Sequence, residues 1–310
     1  MGERDLQNAI LLINKPSGLT SFETISGVKR ILKLRKVGHS GTLDKFASGL
    51  LVVCTGWCTK LTRFFLDSDK RYEGIIRLGI STDTDDREGA VIAQNAVGQV
   101  RPEDIEYLTG IFSGVIRQTP PRYSALKIQG KRASDRVRSG ESVDIKEREV
   151  TIFSLHLETS DDDSAVLSVK VHCSKGTYIR SLARDIGGKL GVGAHLEELR
   201  RIGSGRFSVD DSATLDEIQQ YSEGKDVRKD FIRSPVDAFS DFGYMIVDES
   251  ASDRIMNGAP FSRNDVIHCE AVDDKPYLIL NEKKILIAIV DADIENWRIT
   301  YINVFNAVNK

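Results

Sequence analysis

Asp44 closes a run of small residues, Gly38-His39-Ser40-Gly41-Thr42-Leu43-Asp44, with Gly49 close behind. Small residues let a large planar ligand approach the backbone. A carboxylate at the end of such a loop is suited to nucleophilic chemistry. The same aspartate, followed by Lys45-Phe46-Ala47, reads equally well as the N-cap of a short helix. Arg180 is the second candidate. It falls in the first turn of a helical pattern that begins near Thr177. The helix macrodipole disfavours a cation there, and a residue that breaks a local rule is usually functional or paired. A buried carboxylate would satisfy it, and the arginine would keep that carboxylate ionised at neutral pH. The plainer alternative is an ordinary structural ion pair.

Three tyrosines, Tyr72, Tyr123 and Tyr178, each have an Arg or Lys within three residues. Rings beside cations suit stacked bases with a held backbone, and they also suit plain surface amphipathicity. His39 is open to loop hydrogen bonding or metal ligation, but no other His or carboxylate is spaced with it as a ligand set. No Gly-x-Ser-x-Gly turn, phosphate loop or dinucleotide fingerprint occurs.

The elements that must position these residues alternate in type. Ala9–Asn14 is an apolar strand ending in the turn Lys15-Pro16-Ser17-Gly18. A helix follows, opened by a Thr20–Glu23 capping box and striped by Ile25, Val28, Ile31 and Leu32. Leu50–Cys54 and Arg71–Leu78 read as strands and Thr59–Leu66 as a short helix. Glu147–Thr159 and Ser164–Cys173 read as a long hairpin, the second arm alternating as a half-buried strand does. The Thr177 helix carries Ile179, Leu182, Ile186 and Leu190 on one face and ends at Gly191 and Gly193. The stretch Tyr221–Asp241 is polar and irregular and is taken as a boundary. Short β-like runs beyond it (Tyr277–Leu280, Ile285–Val290, Arg298–Phe305) indicate a small, mostly β module.

Composition narrows the class. The chain has 310 residues, 40% of them hydrophobic, enough to bury a substantial core. No run of about 18 apolar residues exists to span a membrane. Met1–Gln7 is polar and does not read as a secretory signal, so a cytoplasmic location is expected. Cys54, Cys58, Cys173 and Cys269 are read as reduced, buried thiols rather than zinc ligands. The net charge of −3 hides an asymmetry. Residues 1–206 carry 32 basic and 26 acidic side chains, residues 207–310 carry 11 and 20. Arg117–Arg138 alone holds seven basic residues against Asp135. Local stripes of this kind, more than net charge, make a phosphate-binding surface.

Ordered blocks now carry a resemblance. They are Asn14-Lys15-Pro16-Ser17-Gly18-Leu19-Thr20-Ser21, Val37-Gly38-His39-Ser40-Gly41-Thr42-Leu43-Asp44, and Asp67-Ser68-Asp69-Lys70-Arg71-Tyr72. Then follow Leu78-Gly79 with Thr82-Asp83-Thr84-x-Asp86, and Gln118-Thr119-Pro120-Pro121-Arg122-Tyr123-Ser124-Ala125. Cys173-Ser174-Lys175-Gly176-Thr177-Tyr178-Ile179-Arg180 and His195-Leu196-x-x-Leu199-Arg200-Arg201 complete the set. Over about Leu11–Leu215 the chain closely resembles the bacterial tRNA pseudouridine-55 synthases, the TruB family, and more weakly through the C-terminus.

The resemblance implies an α+β fold: a mixed pseudouridine-synthase sheet with flanking helices, plus a small PUA-like RNA-binding module. It implies a catalytic domain over residues 1–240, with an RNA-gripping insertion at about 115–145, and the module over 241–310. Asp44 matches the catalytic nucleophile and Arg180 its paired arginine. Tyr72 matches the tyrosine that stacks on the target uracil and is a candidate proton mediator. His39 matches a histidine that holds the flipped RNA loop, and Tyr178 and Leu199 match residues lining the base pocket. Lys15, from the first block, is carried over as substrate-binding. The implied reaction isomerises uridine 55 of the tRNA T-arm with no cofactor and no metal, by a monomer needing no guide RNA. A tRNA-folding chaperone with secondary catalysis is the alternative. A guide-dependent relative is a third reading, against which the bacterial-type insertion and the lack of basic tails speak. The chain departs from the family pattern at Lys45 (usually proline), Phe46 (commonly leucine) and Ser134 (frequently tyrosine).

Overall fold

The computed structural model describes residues 5–124, 127–128, 131–132, 136, 145–160, 162–273 and 275–305. Ile10-Leu11-Leu12-Ile13 is apolar at every position, a pattern that suits a strand covered on both faces. It forms β1 (Ile10–Lys15), with these side chains fully buried. The predicted capping box opens α1 (Ser21–Ile31). β2 (Val37–His39) then pairs antiparallel with β3 (Ser48–Thr55), leaving Asp44 in the connection.

β4 (Lys70–Leu78), α2 (Pro102–Phe112), β5 (Gly114–Gln118), β6 (Arg148–Thr159) and β7 (Val166–Cys173) follow. After them come α3 (Ile179–Lys189), β8 (Ala194–Ser204), β9 (Phe207–Ser208), α4 (Leu215–Ser222) and β10 (Ile232–Arg233). The strands join in one sheet of order β10-β1-β3-β8-β4-β7-β6-β5, with β2 on β3 and β9 on β8. The β3–β8 pair is parallel and the other pairs are antiparallel, so the sheet is mixed as expected. One apolar core gathers β1, β3, α1 and α4, and a second lies between α3 and strands β4, β6, β7 and β8.

A second sheet contains β11 (Gly243–Val247), β12 (Val266–Glu270), β13 (Tyr277–Leu280), β14 (Leu286–Asp293) and β15 (Arg298–Val304), in order β12-β11-β13-β14-β15. α5 (Glu249–Met256) packs on it. The three expected runs are strands; β11, β12 and α5 were not foreseen.

The stretch Tyr221–Asp241, taken as a boundary, is packed onto the main core, and three other expectations are corrected. Helix α4 covers its start, β10 pairs with β1, and Phe231 and Phe239 are buried in the main core. Its polar look comes from its solvent side. The segment Thr59–Leu66 is a 3-10 turn, Gly56–Leu61, leading into a short helix, Thr62–Leu66. The insertion at about 115–145 begins as an ordinary sheet strand, because β5 pairs along β6. Lys127–Ile128 pairs with Lys131–Arg132, while Ser134 and most of this basic run lie outside the described residues. Cys269 is exposed on β12, unlike the other three cysteines, because its neighbours on that edge strand are exposed too. Among the described residues no helix is long and apolar enough to cross a membrane.

Candidate active site

The Asp44 loop is held by the first sequence block. Ser21, at the start of α1, accepts from the Leu43 backbone N–H at 2.9 Å and donates to the Leu43 carbonyl at 3.1 Å. Gly18 N–H donates to the Lys45 carbonyl at 2.9 Å, and Ser17 Oγ donates to the Phe46 carbonyl at 2.6 Å. Lys15 is completely buried, and its ammonium donates to the carbonyls of Pro16, Leu19 and Lys45. Burial lowers its pKa to about 8, against the opposing pull of Asp44 and Glu88. With no exposed surface, its ammonium holds the loop through these carbonyls.

The loop closes at Gly49, whose φ is +101°. A Cβ there would lie 2.3 Å from the Arg201 carbonyl oxygen of β8. A glycine is therefore required where β3 runs beside β8. Residues 45–47 are not helical, so Asp44 is not the cap of a helix. One of its two residue-level readings is removed.

Arg180 sits in the first turn of α3, one residue inside the Tyr178 N-cap and its successor Ile179, and is 5% exposed. Its Nε lies 3.0 Å from Asp44 Oδ2, and Nη2 donates to Asp44 Oδ1 at 3.3 Å. The guanidinium is held from behind. Nη1 donates to Asp86 Oδ2 at 3.2 Å and to the Thr84 carbonyl at 3.0 Å, and Nη2 to the Tyr123 carbonyl at 3.0 Å. The cation that the helix start disfavours thus bridges two carboxylates. Asp86 is buried and fixed in turn by Thr84 Oγ1 at 2.7 Å and the Glu88 N–H at 3.0 Å. Within its sequence block Asp86 carries no local mark of a role. The available signal was that a cation in so unfavourable a place needs more than one partner.

Desolvation raises the Asp44 pKa above the ordinary carboxylate value. Asp86 adds to that rise, while Arg180 and Lys15 oppose it. The carboxyl group remains partly accessible beside its buried partner. A carboxylate that is desolvated yet paired, with one side open, can attack an electron-poor carbon.

Tyr72 lies near the start of β4, packed against the second core, and burial pushes its phenol pKa up while Arg201 pulls it down. His39 ends β2, with a buried Nδ1 that finds no protein partner. Its pKa is lowered by burial, so the ring is held neutral. Tyr178 is clasped at both backbone groups by the Gln118 amide, at 2.8 and 3.0 Å, and the Arg148 guanidinium lies 4.6 Å from its ring centre. Leu199 is nearly buried and borders a cleft of about 530 Å³ with Ser17, Phe46, Gly74 and Arg87. Asp44, Tyr72, His39 and Tyr178 are not in that cleft's lining, which takes in Phe46 and Ser48 from the connection that carries Asp44. Phe46, one of the departures from the family pattern, packs its ring under the Arg87 guanidinium at 5.9 Å. Among the described residues, no cluster of three or more His, Cys, Asp and Glu side chains is arranged to hold a metal ion.

Comparison with known proteins agrees with this arrangement. Residues 29–179 match the family described as TruB family pseudouridylate synthase (N terminal domain). Residues 180–238 match the tRNA pseudouridylate synthase B C-terminal domain. The tRNA pseudouridine synthase B of Desulfotalea psychrophila is 48% identical over 218 residues, 69% of this chain and 89% of that protein. The protein of the same name from Clostridioides difficile is 40% identical over 284 residues, 89% and 88% of the two chains. Among solved structures, a Cbf5-Nop10-Gar1 complex superposes with a TM-score of 0.73 at 25% identity, covering 97% of this chain and 86% of the other. Sequence blocks, sheet and carboxylate–arginine pair all converge, and the chain belongs to the TruB family of pseudouridylate synthases.

Proposed function

We propose that this protein converts uridine 55 in the T-loop of tRNA to pseudouridine, using Asp44 as the nucleophile on a flipped-out uridine. The observation that carries the reading is the Asp44–Arg180–Asp86 bridge at the mouth of the loop. Pure RNA binding gains nothing from a desolvated carboxylate paired in this way. The reaction breaks the N1–C1′ bond and forms a C5–C1′ bond on the same sugar. The C5 proton is lost and N1 gains one from solvent, so no redox change occurs. One carboxylate suffices as a covalent handle during the turn of the base. Extruding the uridine costs a few kcal/mol, and stacking on Tyr72 returns about 1–3 kcal/mol. Tyr72 is also the group proposed to take the C5 proton.

The relatives' name supports tRNA as substrate. We assign the T-arm stem-loop as the recognised element, a monomer as the active unit, and the cytoplasm as its location. Residues 241–310 are proposed as the PUA-like module. Guide RNA is not required in this reading. His39, Tyr178 and Leu199 are assigned to holding the flipped loop and base.

The test is direct. Wild type and Asp44→Asn are incubated with a T-arm stem-loop alone, and pseudouridine is mapped chemically. Wild type is expected to modify the loop without added RNA or protein, and Asp44→Asn to lose activity by at least about a thousandfold, as for loss of a nucleophile. Full activity in the variant, or wild-type activity only with a second RNA, would overturn it.

A further inference from the structure

Arg201 is a second buried guanidinium of the site, and no carboxylate is recorded as its ion-pair partner among the described residues. It is 2% exposed. An unpaired buried charge is costly unless hydrogen bonds and a useful field compensate. The hydrogen bonds are to the catalytic loop. Nε donates to the Leu50 carbonyl at 2.7 Å and Nη2 to the Gly41 carbonyl at 3.3 Å, so the fork grips both ends of the segment that carries Asp44. The sheet register supplies the rest. Arg201 on β8 lies directly opposite Tyr72 on β4 and, on its other side, opposite Gly49 on β3. Opposite residues of an antiparallel pair project from the same face with Cβ atoms about 4.5–5.5 Å apart. The two side chains therefore leave the sheet on the same face, and the Arg201 charge acts on the Tyr72 phenol.

We propose that Arg201 is a positioning residue for the proton-removal step: it fixes the Tyr72 hydroxyl and supplies the charge that favours its phenolate. This rests on the proposed role of Tyr72. In the step, the C5–H electron pair returns to the ring and the proton passes to the phenolate oxygen, giving the phenol. Being buried, Arg201 does not touch the base and acts through Tyr72. The titratable groups that act on Tyr72 are Arg201 opposite it on β8, Cys173 two residues along β7 from its partner Val171, and Asp44 from the loop, and of these Arg201 alone favours the phenolate. The same charge bears on Lys15, Lys70 and His39, lowering the pKa of each. The Arg201 charge thus reaches three titratable groups around the loop besides Tyr72.

The experiment uses the full chain with fluorotyrosine incorporated, which brings phenol titration into an accessible pH range. Fluorine NMR follows Tyr72, assigned by its loss in Tyr72→Phe. In Arg201→Gln the Tyr72 resonance is expected to titrate at higher pH than in wild type. In the unlabelled variant kcat on the stem-loop falls about tenfold to a hundredfold, within the range of proton-transfer catalysis, with KM changed less than about twofold. Arg201→Lys is expected to restore part of kcat. An unchanged Tyr72 titration, or a loss carried by KM, overturns the proposal. If the glutamine variant does not fold, Arg201→Met, which also removes the charge, carries the test by the same two readouts, and an unchanged Tyr72 titration with unchanged kcat overturns the proposal. Wild-type protein that forms no pseudouridine overturns the functional reading instead, and the titration still decides the part played by Arg201.

Discussion

Two carboxylates share Arg180, and they do different work because their surroundings differ. Asp86 is sealed behind the arginine, whereas Asp44 stands with one side open. In the proposed reaction the ionised form of Asp44 attacks, and its pKa is raised by desolvation first and by Asp86 second. The sign follows. Activity is lost as pH falls through that raised value, so the acid limb of kcat/KM lies above the ordinary carboxylate pKa of about 3.9. Asp86→Asn removes a charge that raises the Asp44 pKa and leaves Arg180 more fully to Asp44. The acid limb is therefore expected to move to lower pH, while kcat drops about tenfold or more because the guanidinium loses its rear anchor. A pH–rate profile of the variant checks both halves. A limb that moves upward would show that Asp86 does not act through the Asp44 charge.

At the scale of elements, the catalytic loop is a strand connection clasped by the start of a helix. Ser21 makes both of its clasping bonds to Leu43, next to Asp44. Ser21→Ala leaves the buried Leu43 backbone groups unpaired, at a cost of about 1–3 kcal/mol. A displacement of Asp44 by about 1 Å would lower kcat by about a hundredfold. Denaturant melts and single-turnover rates measure the two effects, and an unaltered rate would mean that Asp44 is held without Ser21. Gly49→Ala is harsher, because a positive φ and the Arg201 carbonyl both exclude a Cβ.

Much of this was legible in the sequence, and for physical reasons. The capping box at Thr20, the alternation along Val166–Cys173 and the misplaced cation at Arg180 are local rules, readable in short windows. The settings of Lys15, Asp86 and Arg201 were not legible. Lysine is rarely fully buried, and nothing near Lys15 in sequence reveals three carbonyls brought from two separate turns. Arg201 meets Tyr72 only through strand register, a contact between residues 129 positions apart. The packing of the polar stretch after Tyr221 was not legible because its buried residues, Phe231, Ile232, Ala238 and Phe239, are spaced too irregularly to show a period.

Across the whole molecule, charge and packing divide the labour. The excess of acid in residues 207–310 disfavours broad phosphate contact by the C-terminal sheet. Its attachment to the catalytic body is apolar instead. Leu278, Leu280, Leu286, Ile289 and Phe305 join the core built by β1 and β3, and Phe305 lies 4.6 Å from the Trp57 ring. Arg63 adds bonds to the Ile302 carbonyl and to Asn303 Oδ1. The fully buried Phe305 ring is the contact most exposed to truncation. Phe305→Ala is expected to destabilise the protein by about 3–5 kcal/mol, the usual cost of removing a buried phenylalanine. The salt dependence of stem-loop binding should stay near its wild-type slope, because each phosphate contact contributes roughly one unit to it and none is removed. Chemical denaturation and binding isotherms across a salt series separate these outcomes. A slope reduced by several units, with stability unchanged, would mean that the C-terminal sheet grips phosphate directly and that its apolar seam is incidental.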